Sequence, residues 1–156
     1  MKRKRGFTLL ELIIVIVILG ILATLGYSQY TKIVEKMRIA EAVANLGTVR
    51  QLIKGYWLEH GDLSNITDAH VGIGESTDQI PRSCRSTHYF YYYLYNLGNP
   101  NYVSFIAYRC TSGGKSPTYA GNRYGIYMHY YPSTDSPTNF YCWDSVLSQD
   151  VSWCRP

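Results

Sequence analysis

The chain has 156 residues, with 15 Lys and Arg against 11 Asp and Glu, a formal net charge of +4. That length allows one modest domain. Lys2, Arg3, Lys4 and Arg5 account for the whole surplus, so the rest is close to neutral and has no electrostatic footprint for nucleic acid. No nucleic-acid partner is therefore expected.

Behind the basic start comes Gly6, then an apolar run from Phe7 to Tyr27 that holds a single carboxylate, Glu11. About 20 apolar residues match a hydrocarbon core of roughly 30 Å. The Lys/Arg flank stays in the cytoplasm. This predicts a membrane helix over 7–27, N-terminus inside, with the chain after Tyr27 outside. Glu11 is costly there, on the order of a few kcal/mol at mid-membrane and less near an end. Either it sits close enough to the headgroups to stay wet, or it needs a positive partner, and the span contains none.

Lys-Arg-Lys-Arg-Gly6, then Phe7-Thr8-Leu9-Leu10-Glu11-Leu12-Ile13 and a long apolar helix, resembles the class III signal of type IV pilins and type II secretion pseudopilins. The resemblance reaches to about residue 35. It implies that a prepilin peptidase cuts between Gly6 and Phe7 and N-methylates Phe7. It also implies that Glu11 pairs with the N-terminal amine of a neighbouring subunit, which supplies the missing cation. Two other readings compete. A secretory signal with a poor site near Thr24 or Gly26 conflicts with the length of the apolar run, since such regions hold about 7–15 residues. An uncleaved signal anchor leaves Glu11 and the Gly6-Phe7 junction without a role.

From 28 to 60 the pattern turns amphipathic. Tyr30, Ile33, Val34, Met37, Ala40 and Ala44 form one set at helical spacing, and Ile39, Val43, Leu46, Ile53 and Trp57 a neighbouring one. Together they predict a wide apolar face. No proline interrupts 7–59, so one helix of about 80 Å is expected. Its first half needs lipid and then other copies of the chain; its second half can carry a head. Ser28 stands about where many relatives have a proline, so any unwinding in a fibre would rely on Gly20 and Gly26. His60-Gly61-Asp62 reads as the helix end, with Gly61 as C-cap.

Residues 61–87 are rich in Asp, Ser, Thr and Gly and read as a long connection holding a short helix or strand; such loops are often functional or decorated. Then 88–95, 102–110 and 124–131 form aromatic and β-branched runs, punctuated by Asn96-Leu97-Gly98-Asn99-Pro100 and Thr111-Ser112-Gly113-Gly114. A fourth, shorter strand is expected over 139–143. The fold class is α+β: the helix over 7–59, with an antiparallel meander in 88–156 packed on its second half. That is the pilin arrangement the resemblance implies.

Four cysteines, Cys84, Cys110, Cys142 and Cys154, all follow the span. An even count on an oxidising side favours disulfides. Three connectivities are open; Cys84–Cys110 with Cys142–Cys154 closes the shortest loops. No zinc spacing occurs, and no metal or cofactor is expected. Asp144 and Asp150 are conceivable calcium ligands, as in some pseudopilins, but a disulfide-tied tail makes the ion unnecessary. Ser112-Gly113-Gly114-Lys115 lacks phosphate-loop spacing and reads as a turn. His60, His70, His88 and His129 do not cluster in sequence, and no nucleophile–base pattern marks an enzyme. The sixteen tyrosines fall mostly after residue 88. They fit strands with an amphipathic surface, or subunit contacts.

The resemblance therefore implies a structural subunit of a type IV pilus-like filament. Its expected partners are other copies of itself, prepilin peptidase and inner-membrane assembly machinery. It would wait in the inner membrane with a periplasmic head before entering a surface pilus. A type II secretion pseudopilin, forming a periplasmic pseudopilus, is the alternative within the class. A minor or DNA-uptake pilin is a further variant. A signal-anchored periplasmic binding module or enzyme is the alternative outside it.

Overall fold

The computed structural model describes residues 8–95, 97–115, 124–134, 136–137, 140–144 and 149–150. The chain divides into two compact units, Met1–Met37 and Arg38–Pro156, with the division falling inside helix α1, Leu9–His60. The helix runs through Ser28 without a break. It stops as the sequence predicts: Gly61 takes φ +82°, and its N–H donates to the Trp57 carbonyl at 2.8 Å. A left-handed residue here lets the chain turn off while satisfying a terminal carbonyl.

In the first unit, Leu9–Tyr27 is apolar, with a mean hydropathy of 2.8, and none of it is buried. By length and composition it can cross a membrane. Tyr30, Ile33 and Met37 continue the exposure at 64%, 58% and 63%. The wide apolar face predicted for 28–60 is thus not buried as one surface. The second set packs in or against the head core, joined by Ala42 and Val49.

In the second unit the buried helical stripe is Ile39, Ala42, Leu46, Val49 and Ile53, at alternating steps of three and four. It packs against Phe90, Tyr92, Leu94, Phe105, Ile126 and Met128 in one core. Two polar residues beside the stripe dock the sheet. Glu41 Oε1 accepts from the Tyr89 N–H at 3.0 Å, and Asn45 Nδ2 donates to the Tyr92 hydroxyl at 2.9 Å.

The connection after the helix proves to be core. Leu63, Ile66, Val71 and Ile73 are buried. A short 3-10 helix, Asp68–Val71, leads into a parallel pair of two-residue strands, β1 (Ile73–Gly74) and β2 (Ile80–Pro81). Asp68 holds the sheet edge: Oδ1 accepts from the Leu94 N–H at 2.8 Å, and Oδ2 lies 3.1 Å from Arg82. This occupies part of an edge that is otherwise open to pairing with another strand.

The main sheet comprises β3 (Phe90–Tyr95), β4 (Val103–Arg109), β5 (Tyr124–Tyr131), β6 (Ser136–Pro137), β7 (Tyr141–Asp144) and β8 (Gln149–Asp150). β3, β4 and β5 form the expected meander. β6 and β7 both pair with β5, and β8 completes the sheet beside β7, all antiparallel. The expected fourth strand is β7. Register separates the tyrosines by parity. Tyr92, Tyr124 and Tyr130 point into the core, while Tyr91, Tyr93, Tyr108 and Tyr127 stand on the other face. That outer face is aromatic enough to bury Ser104 and Ile106 beneath it, so β4 is buried on both sides.

Cys84 and Cys110 are joined, with Cα atoms 5.8 Å apart. The bond ties the connection to the end of β4. Beside it Arg109, only 1% exposed, donates through one guanidinium nitrogen to the Tyr89 and Cys110 carbonyls at 3.0 and 3.2 Å. Arg38, Arg109 and Lys115 lie 5.2, 5.4 and 5.0 Å from the Tyr89 ring centre, in cation–π range. Cys142 is buried and disulfide-bonded; its expected partner Cys154 lies outside the described residues.

Candidate functional site

The site the sequence singles out is the start of α1. Glu11 lies in the first turn of the helix. Gly6 and Phe7, the expected cleavage pair, lie outside the described residues. Glu11 is exposed, but its carboxylate is held. The Thr8 N–H and the Thr8 hydroxyl both donate to Glu11 Oε2 at 2.8 Å, and the Glu11 N–H returns a bond to Thr8 Oγ1 at 3.2 Å. This is a reciprocal capping box, which satisfies two of the backbone donors a helix leaves open at its start. The helix dipole also favours a negative group here.

The span offers Glu11 no cation, but Thr8 is its hydrogen-bond partner. The signal was present as Thr8-Leu9-Leu10-Glu11, the Thr-x-x-Glu spacing that opens a helix. Thr8 is therefore part of the site. The box fixes the carboxylate against the first turn, and among the described residues no cation pairs with it. A carboxylate pinned at the N-terminal edge of a lipid-length apolar helix can receive an ammonium group brought to the same depth.

Residues 1–27 match the family model described as the prokaryotic N-terminal methylation motif. The fimbrial protein of Neisseria meningitidis serogroup A / serotype 4A is 38% identical over 76 residues, covering 48% of this chain and 44% of its own. The chain is thus similar to a fimbrial protein over about half its length, and its first 27 residues carry the methylation motif.

A fimbrial protein of Pseudomonas aeruginosa is 32% identical over 82 residues, covering 49% of this chain and 53% of its own. The prepilin peptidase-dependent protein D of Escherichia coli is 32% identical over 77 residues, covering 49% and 53%. The chain spans about half the length of the curated relatives it matches. No solved structure matches it.

The remaining candidates fall elsewhere. Among the described residues, no three of His, Cys, Asp or Glu stand together to hold a metal. His60 stacks on Tyr56 at 4.0 Å between ring centres, and His70 lies tilted against the same ring at 4.8 Å. Ser112–Lys115 forms a bend in which the Lys115 N–H donates to the His88 carbonyl at 2.8 Å.

Proposed function

We propose that this chain is the structural subunit of a type IV pilus-like filament, polymerised through its N-terminal helix, and not an enzyme. The observation that carries the reading is Leu9–Tyr27: an apolar helix of lipid length, wholly unburied by its own chain, inside a matched N-terminal methylation motif. Nineteen such residues are compatible with lipid or with other copies of the same helix, not with water.

The precursor inserts with Lys2–Arg5 on the cytoplasmic side and the head on the periplasmic side. Prepilin peptidase hydrolyses the Gly6–Phe7 bond and methylates the new Phe7 amine. Inner-membrane machinery then moves the helix from lipid into a fibre core. There the Phe7 ammonium of one subunit meets Glu11 of its neighbour. Neutralisation removes the penalty of a lone buried charge, and a subunit placed one step out of register keeps that penalty. The contact joins different patches on the two copies, so it propagates as an open filament.

Mass spectrometry of the N-terminus tests the processing step. A methylated Phe7 is expected, and an intact Met1 or an unmodified cut elsewhere would return the chain to the signal-anchor reading. Replacing Gly6 with a bulky residue is expected to accumulate full-length precursor on a gel. Electron micrographs then divide pilus from pseudopilus: surface fibres containing this subunit support the first, and none under conditions of full expression supports the second.

A further inference from the structure

We propose that the outer face of the head sheet is a binding site for neutral carbohydrate, with Tyr141 and Trp143 as its stacking surface. A cleft of about 390 Å³, open to solvent, lies on β5 and β7 between Tyr127, His129, Tyr141, Cys142 and Trp143. Its size falls within the range of small-molecule sites, about 300–1,000 Å³. The proposed Phe7–Glu11 contact does not involve it.

The lining sets the ligand class. Tyr141 and Trp143 remain 44% and 42% exposed, although large aromatic side chains gain by burial. Register places both on the same face as Tyr127 and Gly125, their cross-strand partners. His129 approaches Tyr141 at 6.0 Å between ring centres. The rings give apolar faces for the C–H side of a sugar ring. The Tyr hydroxyls, the Trp Nε1–H and the imidazole supply donors and acceptors for its hydroxyls. Among the described lining residues none is Lys, Arg, Asp or Glu.

The surface is also pre-formed. Cys142, between the two stacking residues, is buried and disulfide-bonded, and β7 is paired on both edges. Rigid anchors lose little entropy on binding. The platform continues across the sheet. Tyr108 and Tyr127 share a hydroxyl–hydroxyl bond, and Tyr91, Tyr93 and Tyr108 stack with centres 5.7–6.3 Å apart. A chain of several sugar units can therefore extend from the cleft towards β3.

The test uses the full chain in a detergent without sugar or choline headgroups. It is applied to immobilised neutral oligosaccharides of glucose, galactose and N-acetylhexosamine, and to their sialylated and sulfated counterparts. Neutral members are expected to be retained, and saturation-transfer NMR on the wild-type chain is expected to place their ring C–H protons against aromatic side chains. Tyr141→Ala and Trp143→Ala should each weaken retention at least about tenfold, Trp143→Phe by less, and Leu58→Ala, exposed on α1, not at all. The proposal is overturned if no neutral saccharide gives a saturation-transfer signal at millimolar concentration. It also falls if only anionic members bind, if choline displaces the bound saccharide, or if a folded Trp143→Ala binds as wild type. A face that serves a second copy instead would show Trp143→Ala changing head–head association while saccharides have no effect.

Discussion

Glu11 Oε2 accepts both the backbone N–H and the hydroxyl of Thr8, each at 2.8 Å. The carboxylate on which assembly is proposed to depend is thus also the residue that closes the helix start. Its two roles, cap and charge, separate chemically.

Glu11→Gln keeps the capping box, because Gln serves at that position as Glu does, but removes the charge. Glu11→Ala removes both. Thr8→Val keeps the charge and removes the hydroxyl, at a cost of about 0.5–2 kcal/mol to the helix start. If charge sets register, Gln and Ala abolish filaments alike, with precursor processing and membrane insertion intact, while Thr8→Val lowers fibre yield only partly. Fibre counts by electron microscopy beside immunoblots of the mature subunit decide this. Normal fibres from Glu11→Gln would refute the charge role.

The helix stripe gives a second prediction. Leu46 is 1% exposed and Met37 63%. Leu46→Ala removes buried methyl groups and leaves a cavity, which should cost the head about 2–5 kcal/mol. Met37→Ala should leave head stability within about 0.5 kcal/mol. Urea unfolding followed by Trp fluorescence measures both, and equal losses would mean that the buried stripe is misassigned.

The Cys84–Cys110 bond spans 26 residues. In the chain-entropy model a loop of that length contributes about 3–4 kcal/mol. Cys110→Ser with Cys84→Ser should therefore lower the urea midpoint sharply, with exposure of the buried Arg109 region to protease. Gly114 offers an independent probe. A Cβ there would stand 2.2 Å from Cys110 Cβ, so Gly114→Ala should destabilise an oxidised head. Thermal denaturation of the variant with and without reductant reads the contribution; no loss in the oxidised form would contradict the packing.

Stability should fall in alkali. Burial pushes the Tyr92 phenol up, against the bond from Asn45 that lowers it. Partial burial and then the neighbouring Tyr108 push Tyr93 up to about 12, and burial with the Tyr108 bond raises Tyr127. Unfolded phenols titrate near about 10. The folded head therefore holds these protons where the unfolded chain has lost them. Stabilisation is full below the unfolded value and drains as pH rises from about 10 towards 12. Absorbance at the phenolate band should show a late-titrating group of tyrosines that vanishes in denaturant. A single transition near 10 in the native head would contradict their burial and bonding.

What the sequence determined by itself is local and continuous. The basic start, Gly6, Glu11 and the apolar run are read directly, because lipid selects on length and hydropathy alone. The helix to His60 follows from periodicity without proline, and Gly61 marks its end. The strands follow from composition. Tertiary structure decided which faces matter. In His88–Tyr95 tyrosine occupies both parities, so its pattern does not reveal that Tyr92 is core and Tyr91 and Tyr93 are surface; a side chain with an apolar ring and a polar tip suits either side. Residues 61–87 looked like an irregular connection because Leu63, Ile66, Val71 and Ile73 have no period, yet each meets the core from a different turn. Likewise Ile33 and Leu46 are equally apolar in sequence. Only packing shows that one is held by the head and the other left exposed, because burial depends on what lies opposite a side chain, and that is set by distant parts of the chain.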